Sequence, residues 1–428
     1  MGRPRVHRTG REGAQGCILV GTLSDRSRRV TRLRRLIGIT LVILGLSTAL
    51  APACALAAKL PAPNLYVPSA TLVTSDGDVL WSKNPDAPRR VASTIKLLNA
   101  LVARDQAPPD KVITVSRAAA DIENGTVDLK AGQKLTVRQL LSIMLVHSAN
   151  DAACALAIGI AGSEKKYVGL MNAKASALGL THTKAADSNG LAGRERCSAA
   201  DLAIIAKNVL ADPVLRGIVK QTKCVVPRPN GKKETFWTTD ALLLDRYPGI
   251  EGIKTGFTSP AGYCFVGAAK RNGVELISVV LGASVDNDRF SQTQKLLEWG
   301  FAQTKKREIV SAATTMGVVG IDGGMEGTVT VHAAQPLSMT LFDGYGQVTT
   351  QVSLPPSVRA PVRLGQELGA VLVSRDGTIV ASVPLVADDV VAAAPVTVPV
   401  ALRSAAAGVW PWLEIAQVWA GLGRMLGI

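Results

Sequence analysis

The sequence predicts an α+β domain of helices packed on an antiparallel sheet, followed by a small all-β domain and a C-terminal amphipathic helix. Three observations carry this prediction. Strand-like runs stand at both ends of residues 58–304 with helix-like runs between them, an order typical of α+β folds. Short apolar alternations separated by turns fill residues 305–385. The chain of 428 residues, 47% of them hydrophobic, is long enough for two domains with extensions.

Residues 1–57 are interpreted as a basic leader and signal peptide. They hold ten arginines and two acidic residues, which supply +8 of the net charge of +15. Leu36–Ala58 is uncharged and largely apolar, and Ala55-Leu56-Ala57 offers a small-x-small cleavage site. The alternative is an uncleaved anchor, since 23 uncharged residues could span a bilayer. In both cases the protein is expected outside the cytoplasm, in the periplasm or cell envelope.

The domain at residues 58–304 opens on a predicted β-hairpin, because the apolar runs Ser69–Val73 and Val79–Lys83 flank an Asp-Gly turn. Capping residues mark the starts of several helices that follow. The helices are predicted from Ser93 to about Arg104, from the capping box Thr136–Gln139 onward, and at Ser163–Leu178 and Ser198–Leu210.

Three strands and one helix close this domain. An Asn-Gly pair at positions 272 and 273 is a strong hairpin signal between the last two strands. The closing helix, Asp288–Gln303, carries apolar residues at helical spacing. The strands are predicted at Glu251–Phe257, Gly262–Ala269 and Val274–Leu281.

The C-terminal third is predicted to be structural. Residues 305–385 suggest a small β sandwich or barrel without a catalytic constellation, and residues 386–408 an Ala/Val/Pro-rich linker. In Val409–Ile428, Trp412 and Trp419 share one helical face with three aliphatic residues, which favours peripheral contact with a membrane. The alternative is a helix packed on the protein's own body.

A serine and a lysine three residues apart are the first candidates for chemistry. Ser93 and Lys96 begin an apolar, helix-compatible run, so their side chains share one face within reach of each other. A serine hydroxyl is a weak nucleophile until a base takes its proton. A lysine acts as that base only when its pKa falls, and burial and a second cation nearby both lower it.

Two later motifs supply partners for this pair. Ser148-Ala149-Asn150 adds a second hydroxyl and an amide, and Lys254-Thr255-Gly256 adds a second lysine on a strand-like run. Side chains alternate along a strand, so Gly256 points to the same side as Lys254. Because Gly256 has no side chain, the serine helix and a substrate can approach closely. The order S-x-x-K, S-x-N, K-T-G is close to that of penicillin-binding proteins and class A β-lactamases.

The sequence resembles the D-alanyl-D-alanine carboxypeptidases, the low-molecular-mass penicillin-binding proteins, over about Leu65–Thr304. The likeness includes the run Pro248–Ala283 around the K-T-G motif. It implies a β-lactamase/transpeptidase-like catalytic fold for residues 58–304, with the β domain as a spacer. It also implies removal of the terminal D-alanine from peptidoglycan stem pentapeptides, with β-lactam antibiotics as covalent inhibitors.

The resemblance implies a role for each residue of the acyl-transfer machinery. Ser93 attacks the carbonyl between two D-alanines, Lys96 takes its proton, and Ser148 relays a proton to the leaving amine. Asn150 holds a substrate amide. The backbone N–H groups of Ser93 and Phe257 hold the oxyanion.

Recognition of the substrate's terminal carboxylate is implied for a second group of residues. Lys254 attracts it and also provides the second cation beside Lys96, and the Thr255 hydroxyl binds it. Arg289 lies where the resemblance places a carboxylate-binding arginine, but it also fits an ordinary surface arginine of the closing helix.

The sequence lacks motifs that some other functions require, and it leaves two alternative functions open. A class A β-lactamase needs a glutamate to activate the deacylating water, and no E-x-x-L-N occurs between Asn150 and Lys254. A D,D-endopeptidase shares all three motifs and stays an alternative, as does a noncatalytic peptidoglycan-binding envelope protein. No nucleic acid, metal or other cofactor is expected, because the chain lacks aromatic-interleaved basic clusters, C-x-x-C and H-E-x-x-H.

Four cysteines follow the leader. Cys154 and Cys264 lie in apolar runs and are interpreted as small buried residues. Cys197 and Cys224 could pair in an oxidising compartment, which the sequence leaves open.

Overall fold

The structure is a computed structural model that describes residues 61–395. The predicted signal peptide and the predicted tail helix, Val409–Ile428, lie outside these residues. Between residues 61 and 395, no helix has both the length and the apolar character needed to cross a membrane.

Residues 61–303 contain the predicted mixture of helices and antiparallel strands. The strands are β1 (Ser69–Thr74), β2 (Val79–Lys83), β3 (Val112–Thr114), β4 (Lys134–Thr136), β5 (Lys223–Pro227), β6 (Lys233–Trp237), β7 (Ile250–Thr258), β8 (Gly262–Arg271) and β9 (Val274–Ala283). The helices are α1 (Lys96–Gln106), α2 (Arg117–Ala120), α3 (Val137–Val146), α4 (Asn150–Ala161), α5 (Glu164–Ala177), α6 (Ala199–Ala211), α7 (Pro213–Val219), α8 (Ala241–Leu244) and α9 (Asp286–Gln303).

A five-stranded antiparallel sheet divides this domain into two hydrophobic cores. Its strand order is β2-β1-β9-β8-β7. In β9, Leu276 and Val280 pack under α9, whereas Ile277 and Val279 face the other helices. Because both faces are covered, β9 is an almost continuous run of buried residues rather than an alternating one.

Helix α1 lies at the centre of the helical layer and is buried from Lys96 to Ala103. It packs against α3, α4, α5 and α6. At the edge of the sheet, β7 lies beside the turn that precedes α1. The fold therefore brings the start of α1, the loop between α3 and α4, and the edge strand β7 together.

Several local predictions are confirmed. The hairpin of β1 and β2 forms as expected. Thr136 and Gln139 cap α3 reciprocally, since each side chain accepts a hydrogen bond from the other's backbone N–H, at 3.1 and 2.8 Å. Serine N-caps open α5 and α6. Asn272 and Gly273 connect β8 and β9 with φ angles of 49° and 79°, as a tight Asn-Gly turn requires.

Other elements were not predicted. Asn150 was expected on a loop but begins α4, a helix whose first eight residues are all buried. An apolar, alanine-rich helix buried all round shows no amphipathic period, so the sequence pattern hides it. The antiparallel pair β3–β4, the hairpin β5–β6 and the short helices α2, α7 and α8 were also missed.

Residues 304–395 form the expected all-β domain, with the strands β10 (Thr304–Val310), β11 (Thr315–Asp322), β12 (Thr328–Ala333), β13 (Leu337–Phe342), β14 (Val348–Ser353), β15 (Ser357–Arg359), β16 (Glu367–Arg375) and β17 (Thr378–Ala387). A six-stranded sheet has the order β14-β16-β17-β12-β11-β15, and β10 pairs with β13. Its core is almost entirely valine, leucine, isoleucine and alanine.

The boundary predicted after residue 385 was too early. Strand β17 continues to Ala387, and the buried Val391 pairs with Val362. Ala394 N–H donates to Gly323 O at 2.8 Å. Within residues 386–395, Ala387 and Val391 are buried and finish the β core, so this part of the predicted linker belongs to the domain. The rest of the predicted linker, residues 396–408, lies outside the described residues.

Candidate active site

A strained turn places Ser93 at the N-terminal end of α1. Residues Ala92–Ile95 form a 3₁₀ turn, and Ala92 has a φ of 48°, in the left-handed region that non-glycine residues rarely adopt. Glu195 accepts a hydrogen bond from Ala92 N–H at 3.3 Å. A Cβ on Gly190 would lie 2.2 Å from Ala92 O, so this glycine allows the neighbouring loop to press on the turn. Strain of this kind persists only where surrounding contacts enforce it.

The predicted pair of Ser93 and Lys96 is in direct contact. Lys96 Nζ donates to Ser93 Oγ at 2.6 Å and to Asn150 Oδ1 at 2.7 Å. The lysine side chain is 0% exposed. Ser93 is in the 3₁₀ turn rather than in the helix proper, but the spacing still brings the two groups together.

Burial sets the protonation of this lysine. Desolvation lowers the pKa of Lys96 to about 7, although the charges of Asp187 and Asp151 oppose the shift. The pKa of Lys254 also falls well below its ordinary value, through burial first and then through repulsion from Lys96 and Arg289. Repulsion between the two lysines disfavours the charged form of both. Burial is the largest cause of the low pKa of Lys96, and the second lysine that was expected to help lower it is also buried at this site.

Ser148 projects from the short connection between α3 and α4. Its φ of 64° is left-handed, a second strained non-glycine position at this site. Neighbouring His147 has a structural contact, with Nδ1 2.8 Å from Trp237 O.

Asn150 links the lysine to a loop on the far side of the site. Its Oδ1 accepts from Lys96, and its Nδ2 donates to Asn124 O at 2.7 Å. Its backbone N–H donates to Thr126 Oγ1 at 3.3 Å. The buried carboxylate of Asp151 accepts from the N–H of Leu129 at 3.0 Å and fixes the same loop.

Strand β7 forms the opposite wall. Lys254 is 1% exposed and donates to Thr255 O at 3.0 Å. The hydroxyls of Thr255 and Thr239 are hydrogen-bonded to each other. Phe257 is 48% exposed and stacks on Tyr263 with ring centroids 4.2 Å apart.

Gly256 allows β7 to touch the serine turn. A Cβ at this position would lie 2.9 Å from Val91 O and 3.1 Å from Ser93 N. Those distances are shorter than ordinary side-chain contacts, so the close approach predicted from the missing side chain is confirmed.

Arg289 lies against β7 and not on an open helix surface. It is 8% exposed, and its Nη1 donates to Gly256 O at 3.2 Å. Its Nη2 lies 2.5 Å from Asp286 Oδ1, and the guanidinium lies 5.3 Å from the Tyr263 ring centroid. Within residues 61–395 its buried Nε has no hydrogen-bond partner. The surface-arginine alternative is therefore wrong.

Sequence reasoning missed some residues that support the site. Asp187 accepts from Gly190 N–H at 2.6 Å and shapes the loop against the serine turn. Burial raises the pKa of Asp240 to about 6, and this residue caps α8 beside β7. Glu195 and Asp187 lie far from Ser93 in sequence and carry no motif, so no local signal identifies them.

The open question about cysteine pairing is settled. Cys154, Cys197, Cys224 and Cys264 are all buried free thiols, so Cys197 and Cys224 are not bonded. The Cys197 Sγ instead lies 3.0 Å from Thr183 Oγ1. Within residues 61–395, no group of three or more His, Cys, Asp or Glu side chains is arranged to hold a metal ion.

Known proteins resemble this chain in both domains. The D-alanyl-D-alanine carboxypeptidase family matches residues 59–285, and the C-terminal domain of penicillin-binding protein 5 matches residues 305–393. D-alanyl-D-alanine carboxypeptidase DacF of Bacillus subtilis is 30% identical over 331 residues, covering 75% of this chain and 85% of the relative. DacB2 of Mycobacterium tuberculosis is 36% identical over 253 residues, covering 57% and 86%.

Two solved structures are similar to this chain in fold. PBP3 from Streptococcus pneumoniae, described as a peptidoglycan synthesis regulatory factor, has a TM-score of 0.66 at 26% identity, covering 77% of this chain and 100% of that one. Penicillin-binding protein 5 from Haemophilus influenzae has a TM-score of 0.59 at 27% identity, covering 78% and 99%.

Proposed function

Since the chain belongs to the D-alanyl-D-alanine carboxypeptidase family, we propose that Ser93 is the nucleophile through which it cleaves its substrate. The chain is a low-molecular-mass, serine-type D-Ala-D-Ala carboxypeptidase, a hydrolase of peptidoglycan. The observation that carries the proposal for Ser93 is its 2.6 Å contact with the buried Lys96. A fully buried lysine with a pKa near 7 supplies a neutral amine at physiological pH.

The proposed reaction is acyl transfer followed by hydrolysis. Ser93 Oγ attacks the carbonyl between the two D-alanines while Lys96 takes its proton. The N–H groups of Ser93 and Phe257 stabilise the oxyanion, and Ser148 passes a proton to the departing amine of D-alanine. Water then attacks the ester carbonyl, regenerates the Ser93 hydroxyl and releases the shortened stem.

Recognition of the terminal carboxylate is proposed for the β7 side of the site. Lys254, Thr255 and Arg289 converge there, next to the backbone of Gly256. The contact of Arg289 with Gly256 supports a carboxypeptidase over an endopeptidase, which has no terminal carboxylate to bind. Asn150 would hold an amide on the acyl side.

Trapping with a fluorescent penicillin tests the nucleophile. Its β-lactam carbonyl should form one ester adduct with the wild type, detected by intact mass, and none with Ser93→Ala. Loss of the attacking oxygen should lower the acylation rate by a factor on the order of 10⁴ or more. Ser353→Ala, an exposed serine of β14, is the control and should be labelled normally. An adduct on Ser93→Ala would refute the assignment of Ser93 as the nucleophile.

We also propose that the protein works in the periplasm or cell envelope. The leader at residues 1–57 would export it, and Val409–Ile428 would attach it peripherally to the membrane, with the β domain as spacer. This rests on the sequence pattern. Deleting residues 409–428 should move the protein to the soluble fraction without changing cleavage of a soluble peptide. If the truncated form stays in washed membranes, the leader rather than the tail attaches the protein to the membrane.

A further inference from the structure

The loop at residues 187–197 presents a buried acidic side chain to the serine turn. Glu195 is 0% exposed, and its Oε1 accepts the hydrogen bond from Ala92 N–H at 3.3 Å. Its Oε2 is also buried and has no hydrogen-bond partner within residues 61–395. The contact with Ala92 is therefore the main interaction that this carboxyl group makes with the active site.

Burial makes this position unfavourable for a carboxyl group. Desolvation raises the pKa of Glu195, the charge of Asp187 raises it further, and the N–H groups of Val91 and Ala92 oppose the shift only in part. An apolar side chain of similar volume would avoid the cost of burying an acid. A carboxyl group that is retained at this cost indicates a use for its hydrogen bond.

The hydrogen bond acts on the residue that precedes the nucleophile. Ala92 has a φ of 48°, whereas the right-handed region is favoured for alanine. The dihedral angles of Ala92 orient the peptide unit that joins it to Ser93, and the N–H of that unit is the Ser93 N–H proposed for the oxyanion hole. Without the acceptor on Glu195, Ala92 would relax toward the right-handed region and the Ser93 N–H would turn with it.

The same peptide unit is packed between two glycines. A Cβ on Gly190 would collide with Ala92 O, and a Cβ on Gly256 would lie 3.1 Å from Ser93 N. Gly190 belongs to the same loop as Glu195. One loop therefore contacts the carbonyl end of this peptide unit and also accepts from the N–H group before it.

The loop is itself fixed to the chain just before the serine turn. Cys197 N–H donates to Arg89 O at 2.9 Å, and Arg89 N–H donates to Cys197 O at 3.0 Å. Arg90 Nε donates to Gly193 O at 2.7 Å. The carboxyl group of Glu195 is therefore held at a fixed place relative to the turn, as the positioning of an N–H donor requires.

We propose that Glu195 is a positioning residue, which holds Ala92 in its left-handed conformation and thereby keeps the Ser93 N–H in the oxyanion hole. Its contribution arises when the oxyanion forms and not when the intact ligand first binds. This inference rests on the proposed function, because it explains how one of the oxyanion donors named there is placed.

Glu195→Met separates the hydrogen bond from the packing. Methionine fills a similar volume without the carboxyl group, so Tm should equal or exceed that of the wild type. The rate constant of acylation by penicillin should nevertheless fall roughly ten- to a hundredfold, since complete removal of an oxyanion donor costs about 10²–10³ and here the donor is only displaced. The dissociation constant of the noncovalent complex should change by less than about twofold. Glu195→Leu repeats the test with a different apolar shape.

One variant should restore the rate, and another is the control. The amide oxygen of Glu195→Gln can accept from Ala92 N–H without a charge, so its acylation rate should lie within about threefold of the wild type. Thr340 of β13 is 1% exposed, and its Oγ1 likewise has no partner in the described part of the chain. Thr340→Val removes a buried polar atom far from the chemistry and should leave the acylation rate unchanged.

An alkylboronic acid reports on the oxyanion hole directly. Its boron accepts a lone pair from Ser93 Oγ, the serine proton passes to Lys96, and one oxygen of the tetrahedral adduct occupies the oxyanion hole. Glu195→Met should weaken this binding by the same factor as acylation, and Glu195→Gln should restore it. Equal boronic acid affinity in the wild type and Glu195→Met would overturn the proposal, and so would slower hydrolysis of the acyl-enzyme with normal acylation.

The nucleophile variant separates failure of this inference from failure of the proposed function. If the wild type is acylated at Ser93 and Glu195→Met is acylated equally fast, only the role of Glu195 is rejected. If Ser93→Ala is acylated as readily as the wild type, the Ser93 mechanism itself is rejected.

Discussion

The two domains bury different kinds of side chain. In residues 61–303, Lys96, Asp151, Glu195, Lys254 and Arg289 are all buried. In residues 305–393, the buried side chains that the structure describes are apolar apart from Thr340 and Tyr345, and none is charged. Burying a charge costs several kcal/mol unless partners compensate it. A domain that keeps buried charges therefore has a use for them, whereas the β domain has a core built for stability alone.

This difference in buried charge predicts which substitutions will change the rate of the reaction. Changes at buried ionisable groups should alter chemistry, and equivalent changes in the β domain should leave chemistry intact.

After loss of the nucleophile itself, the largest expected effect belongs to Lys96→Arg. Arginine stays protonated at every accessible pH and cannot accept the Ser93 proton, so acylation by penicillin should slow by roughly 10³-fold, within the range ascribed to general-base catalysis. Lys305→Arg, at an exposed position of β10, should have no effect.

The pH profile tests the same lysine without a mutation. The neutral amine is the active form, and the pKa of Lys96 is about 7. The acylation rate of the wild type should therefore rise about tenfold per pH unit below pH 7 and level off above it. A profile that is flat from pH 5 to 9, with acylation rate-limiting, would contradict Lys96 as the base.

Arg289→Ala should have the next largest effect. A charge-assisted hydrogen bond to a carboxylate contributes about 1.5–3 kcal/mol, so the variant should lose roughly ten- to a hundredfold of the preference for a free acid over an amidated C-terminus. The measurement compares kcat/KM for the two peptides. Arg307→Ala, at an exposed position of β10, should keep the preference.

Equal cleavage of the free-acid and amidated peptides by the wild type would favour an endopeptidase. An unchanged preference in Arg289→Ala would instead leave carboxylate recognition to Lys254 and Thr255. The two outcomes are distinguishable because the first concerns the wild type and the second the variant.

Gly256→Ala should reduce acylation by about tenfold, since even a small displacement of the nucleophile is costly to the rate. The new methyl group would lie 2.9 Å from Val91 O and would push β7 away from the serine turn. Gly327→Ala in the β domain has open space around the added Cβ and should leave the rate unchanged. The matched pair separates loss of close approach from a general effect of glycine replacement.

The sequence predicted the active-site motifs and their strands better than it predicted the parts of the fold around them. The strands β7, β8 and β9 and the pairing of Ser93 with Lys96 follow from local spacing, and all were predicted. Helix α4 was missed because burial all round removes the periodic signal. The β domain's last residues were misassigned because alanine and valine suit both a linker and a core.

The electrostatic environment could not be derived from spacing. Arg289 was left undecided because helix periodicity says nothing about a strand 33 residues earlier in the chain. Glu195 contacts Ala92 from 103 residues away, so only the folded chain brings them together. The low pKa of Lys96 depends on desolvation, which is a property of the whole packed layer rather than of a neighbour in sequence.

The smallest expected effect is at the junction of the two domains. Arg375 of β16 lies 2.5 Å from Asp78 in the β1–β2 turn, and its guanidinium lies 4.0 Å from the Tyr345 ring centroid. Both groups are partly exposed, so the pair should contribute about 1 kcal/mol or less. Arg375→Ala should therefore lower Tm by about 2–4 °C and leave the acylation rate unchanged, whereas Arg363→Ala, an exposed arginine of the same domain, should change neither. If Arg375→Ala were acylated more slowly at a temperature where it is fully folded, the β domain would influence the active site. That result would contradict the expectation that changes in the β domain leave the chemistry intact.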